Sequence, residues 1–114
     1  MSLNYVFVND TLVVFKPKGR MDMVGAREFE TSMNITLRNK KINILFDLTD
    51  VEYVSSSFLR VIITTNRITR EHDKEFAICN PNDFCKKVME LVRIDKVVNI
   101  YENTDEAITY LNYK

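Results

Sequence analysis

The sequence predicts an α/β fold on a mixed sheet, and three observations predict it. Two short β-branched and aromatic runs, Tyr5 to Val8 and Leu12 to Lys16, are joined by Asn9-Asp10, which reads as a hairpin turn and so as antiparallel pairing. The nearly unbroken apolar run Ile42 to Phe46 marks a central strand buried on both faces. From there strand and helix patterns alternate, which predicts parallel pairing with right-handed crossovers. At 114 residues, with 46% hydrophobic residues and only two glycines and two prolines, residues 1–114 read as one domain with no linker.

Each element has its own signal. Pro17-Lys18-Gly19 stops the second strand, and Asp22 is placed to cap a helix over Met23 to Arg38, where Ala26, Phe29, Met33 and Leu37 recur at spacings of three and four. Asp47 ends the central strand. After Ser55-Ser56-Ser57, residues Leu59, Ile62, Ile63 and Asn66 repeat at helical spacing, and the polar run Arg67 to Lys74 closes that helix before a strand at Phe76 to Cys79. Asn80-Pro81-Asn82 opens a further helix with Phe84, Val88, Leu91 and Val92 as its expected buried stripe. Val97 to Tyr101 is the last strand, and Thr104 or Asp105 caps a closing helix carrying Ala107, Ile108 and Leu111.

Charge and composition exclude several functions. Sixteen basic residues balance sixteen acidic ones, so no overall field draws the chain to nucleic acid or an anionic membrane. The short basic run Arg38-Asn39-Lys40-Lys41 sits at a helix end, where cations are favoured by the dipole, and no aromatics interleave with it. Met1 to Asp10 lacks the regions of a secretory leader, and no apolar run approaches the ~20 residues that span a bilayer, which together imply a cytoplasmic address. Cys79 and Cys85 are then expected to be reduced, buried and apolar in character, because their spacing and a single histidine fit no zinc site.

Catalytic arrangements also fail. Gly19 and Gly25 lack the companions of a phosphate-cradling loop; Gly25 falls inside a helix at a cost of about 1 kcal/mol relative to alanine, which hints at close packing. A serine nucleophile needs a base, and His72, at the far end of the helix, lies roughly 22 Å from Ser57 at ~1.5 Å rise per residue. Asp47, Asp50 and Glu52 read as a solvated acidic turn.

The three serines remain. Ser55 or Ser56 caps the helix by accepting from free backbone N–H groups, but one cap does not require three hydroxyls. A helix start after a parallel strand also accommodates an anion, so a phosphoryl group on Ser57 gains about 0.3–1 kcal/mol from the dipole there.

At this junction the chain resembles the STAS family, the anti-sigma factor antagonists of bacterial regulatory switches, over nearly its whole length. "DLTDVEYV" followed by Ser55-Ser56-Ser57-Phe58-Leu59 is similar to the family's acidic turn and its D-S-S-G-L. "GRMD", Gly19 to Asp22, resembles the family's G-x-L-D, and the segment "FAICNPNDFCKKVMELVRIDKVVNIYENTDEAI" resembles its closing elements. The resemblance implies a single small domain with a four- to five-stranded mixed sheet and helices mainly on one side, no catalysis and no cofactor. It implies a partner that is both an anti-sigma factor and a serine kinase of the histidine-kinase-like ATPase fold, with a serine phosphatase as a further partner. The acceptor falls on Ser57, with Ser56 as second choice, and the partner-facing set is Asp22, Met23, Ser55, Ser56, Ser57, Phe58 and Leu59.

Two departures mark this chain: Ser55 replaces the family's aspartate and Phe58 its glycine. Phe58 turned inward is one more core aromatic; turned outward beside Leu59, it is an interface anchor. If the departures abolish modification, the chain is instead a scaffold that binds its partner constitutively.

Overall fold

Alternate residues of the central strands feed two separate apolar layers, and this sets the architecture. The computed structural model describes residues 3–114; Met1 and Ser2, at the start of the Met1 to Asp10 segment, lie outside the described residues. The elements run β1 (Tyr5–Asn9), β2 (Leu12–Phe15), β3 (Lys18–Met21), α1 (Met23–Leu37), β4 (Asn43–Asp47), β5 (Asp50–Val54), α2 (Ser56–Glu71), β6 (Phe76–Cys79), α3 (Asp83–Leu91), a 3-10 turn at Ile94–Lys96, β7 (Asn99–Tyr101) and α4 (Thr104–Asn112). The main sheet has the order β1-β2-β4-β6-β7, antiparallel between β1 and β2 and parallel elsewhere, with β4 at its centre.

On one face, Val13, Phe15, Ile44, Phe46, Phe76 and Ile78 pack against apolar residues of α1, α2 and α3. On the other, Leu12, Val14, Leu45, Ala77 and Cys79 meet Ala107 and Leu111 of α4. Helices therefore lie mainly on one side, as expected. Phe46 is the centre of the larger layer: the rings of Phe29 and Phe76 meet it edge-to-face at 5.2 and 4.8 Å. Each such buried aromatic contributes about 1.5–3 kcal/mol by burial, with a further increment from the edge-to-face geometry.

A second sheet departs from the sequence expectation. β3 and β5 pair in parallel, so "KGRM" continues beyond the Pro17-Lys18-Gly19 stop, and "DVEYV" is a strand rather than an acidic turn. Both strands carry charged residues toward solvent and bury only Met21, Val51 and Val54, so neither shows the apolar run of a central strand. Gly19 supplies the left-handed φ of +85° next to the irregularity in their register.

Two further details are corrected. The buried stripe of α3 is Cys85 and Met89, with Val88 packed against the core as expected, whereas Phe84, Leu91 and Val92 are at least half exposed. Apolar residues surround this helix, so periodicity alone does not choose the phase. The cap of α4 is Asn103, whose side chain accepts from the Glu106 N–H, leaving Thr104 Oγ1 within 2.7 Å of Asn80 Nδ2.

Candidate functional site

Because β3 and β5 are parallel neighbours, the helices that follow them begin side by side. Met21 pairs with Val54 at the strand ends. Asp22 caps α1, its carboxylate accepting the Gly25 N–H at 2.9 Å. Ser55 caps α2, accepting the Phe58 N–H at 3.3 Å, and its own hydroxyl donates to the Met21 carbonyl at 2.8 Å. The Ser55 N–H donates to the same carbonyl at 3.0 Å. The serine thus fills the capping role of an aspartate and also ties the two helix starts together. Gly25 is required here by close approach: a Cβ would stand 2.6 Å from the Arg20 carbonyl oxygen.

The expected partner-facing residues divide by exposure. Asp22, Met23 and Ser56 are exposed, whereas Ser55, Ser57 and Leu59 are half-buried, with Leu59 packed against the core. Phe58 takes the inward of its two expected placements: its side chain is fully buried, with ring centroids of Phe29 and Phe46 at 5.9 and 6.3 Å, which corrects its place in the partner-facing set because it presents no surface there. Turning inward, its ring lies away from the groove that the neighbouring serine lines. Ser57 lines an open groove of about 110 Å³ between α1 and α2, together with Met23, Ala26, Arg27, Glu30, Arg60 and Val61.

Three contributors escaped the sequence reading. Val24, 60% exposed, extends the apolar surface begun by Met23. Arg27 lies one turn after Met23, and Arg60 three residues after Ser57, so helical spacing was the available signal for both. On the flank, the Arg20 guanidinium lies 4.4 Å from the Tyr53 ring centroid, and Tyr53 stacks on Phe84 at 5.9 Å.

The acidic residues form no reactive cluster. Asp47 is buried rather than solvated. Burial opposes its charge, but hydrogen bonds from Thr49 and Asn80, with the nearby Lys16 charge, outweigh it and hold the carboxyl below the usual range. His72 is the C-cap of α2, at the opposite end of the helix from Ser57. Both cysteines are buried and unpaired with each other, as expected, and burial pushes the Cys79 thiol up to about 12. Among the described residues no group of three or more His, Cys, Asp or Glu side chains is placed to hold a metal ion, and no helix is long and apolar enough to cross a membrane. What the site offers is a half-buried serine in the first turn of α2, lining a groove beside the exposed apolar side chain of Met23.

The model of the STAS domain family matches residues 5–107. A Thermotoga neapolitana protein, named as a candidate anti-sigma factor antagonist, is 30% identical over 105 residues, 91% of this chain and 92% of the relative. The crystal structure of a candidate anti-sigma factor antagonist from Thermotoga maritima superposes with a TM-score of 0.88 at 25% identity, covering 96% of this chain and 94% of that one. The Bacillus cell fate determinant SpoIIAA, in its phosphorylated form, shares the fold with a TM-score of 0.74 at 14% identity, covering 96% and 98%.

Proposed function

This chain belongs to the STAS domain family, and from that membership we propose that it is an anti-sigma factor antagonist. It binds an anti-sigma factor that is also a serine kinase of the histidine-kinase-like ATPase fold, and phosphorylation of Ser57 releases it. A serine phosphatase restores the binding form. The names of its relatives support the general role. The observation that carries the finer reading is Ser57 at the first turn of α2, half-buried in the groove that Met23 also lines, with Phe58 turned away into the core.

The mechanism is a change of affinity. Exposed Met23 and Val24, with Ser56 beside them, supply apolar contact area next to the acceptor. A phosphoryl group adds about −1.5 to −2 of charge at that edge, and the desolvation and repulsion it imposes on a docked partner oppose binding. The switch requires little change in the antagonist's own shape.

The constitutive scaffold is the weaker reading, because neither departure from the family pattern obstructs the acceptor: Ser55 caps and Phe58 is internal. The test is affinity capture from the source cell in two phosphorylation states, with mass spectrometry of the peptide containing Ser55 to Ser57. An ATPase-fold kinase in the eluate, and phosphate on Ser57 in the unbound pool, are expected. An eluate without such a kinase and an unmodified peptide under all conditions overturn the reading; binding intact with no phosphate favours the scaffold.

A further inference from the structure

We infer that Arg27 and Arg60 form a clamp that receives the phosphoryl group of Ser57 within this chain, folding it into the groove between α1 and α2. The clamp rests on the proposed modification of Ser57 and gives the transferred group its seat. Arg60 is three residues along α2 from Ser57, hence on the same helix face, and Arg27 reaches the same groove from α1. Two arginines from two helices therefore line the same groove as one serine. Among the described residues neither arginine takes part in an ion pair: the pairs are Lys16–Asp50, Arg67–Glu71 and Lys86–Glu102.

Glu30 also lines the groove and opposes an anion. Two cations against one carboxylate leave a formal charge of +1, which a phosphoryl group entering as a dianion finds favourable. The remaining wall, Met23, Ala26 and Val61, is apolar and strengthens attraction at short range. A guanidinium presents a planar fork that matches phosphate oxygens in pairs, which a lysine does not.

In the modification, the bond from Ser57 Oγ to phosphorus forms as the β–γ phosphoanhydride bond of ATP breaks; ADP leaves and the hydroxyl proton passes to the kinase. The clamp then holds the group in the groove that Met23 also lines, so the modified form carries a phosphate beside the apolar docking edge. Release of the partner follows from that placement.

The test installs phosphoserine at position 57 during synthesis, so that no kinase is needed, and follows the phosphorus resonance with pH. The second ionisation of phosphoserine falls near pH 6 when free. In the full chain it is expected about one unit lower, as for an acid beside arginine. Arg27→Gln with Arg60→Gln should return it upward, and Glu30→Gln should lower it further. All three side chains are at least partly solvent-facing, and circular dichroism checks that each variant is folded. An unshifted resonance, or equal titration in the unaltered chain and the double arginine variant, overturns the clamp. Failure of a kinase to modify the unaltered chain would instead overturn the parent reading, leaving the titration result intact.

Discussion

The Ser55 hydroxyl donates a 2.8 Å hydrogen bond to the Met21 carbonyl, joining the end of β3 to the start of α2. Through that bond, a residue that caps one helix also fixes the position of the other helix's approach. The exposed surface of Asp22, Met23 and Ser56, and the groove that Ser57 lines, both depend on the two helix starts keeping this spacing.

Ser55→Ala removes the cap and the hydroxyl's part of the tie, leaving the backbone N–H bond to Met21, and should lower stability by about 1–2 kcal/mol. Ser55→Asp should fall between the two, since an ionised carboxylate accepts the Phe58 N–H but has no proton for the Met21 carbonyl. Urea unfolding at constant m-value measures both.

Phe58 acts in the core. Phe58→Ala should cost about 3–5 kcal/mol, while Phe58→Leu should remain folded and bind the partner as the unaltered chain does. Loss of partner affinity in a folded, native-like Phe58→Leu protein would return this residue to the interface.

Gly25→Ala, which in most helix interiors stabilises by up to about 1 kcal/mol, should here destabilise by about 1–3 kcal/mol, the range for overpacking. The added carbon would meet the Arg20 carbonyl at 2.6 Å, and backbone cannot swing aside. A rise in melting temperature would contradict the close approach.

Asp47 should make stability depend on acid. Its folded-state pKa is depressed, so the folded state binds that proton less readily than the unfolded chain. The resulting stabilisation is present above the unfolded value of about 3.9 and is lost as pH falls through the lower folded value. The stability gap between the unaltered chain and Asp47→Asn should therefore narrow from about pH 5 downward. A gap that is constant with pH would show that the carboxylate's charge contributes nothing.

The legible parts of the fold were those in which local pattern and tertiary burial agree. The Ile42 to Phe46 run is apolar at nearly every position because β4 has helices on both faces, and Asp22 is a cap in sequence and in space. The small β3–β5 sheet was hidden because each strand alone is half charged; only their pairing makes them strands. The face of α3 was ambiguous because Phe84 and Val92 are as apolar as Cys85 and Met89, and only the packing selects between them. At the site, the serines stood out as a cluster. Arg27 and Arg60 did not, because two arginines far apart in sequence acquire a common meaning only when α1 and α2 are laid side by side.

The central claim is that phosphate on Ser57 controls partner affinity. The direct measurement is calorimetric titration of the source organism's anti-sigma kinase with the chain carrying either serine or phosphoserine at position 57. The account predicts that the serine form binds and that the phosphoserine form is weaker by at least about tenfold, or ~1.4 kcal/mol. Equal affinity of the two forms would contradict it.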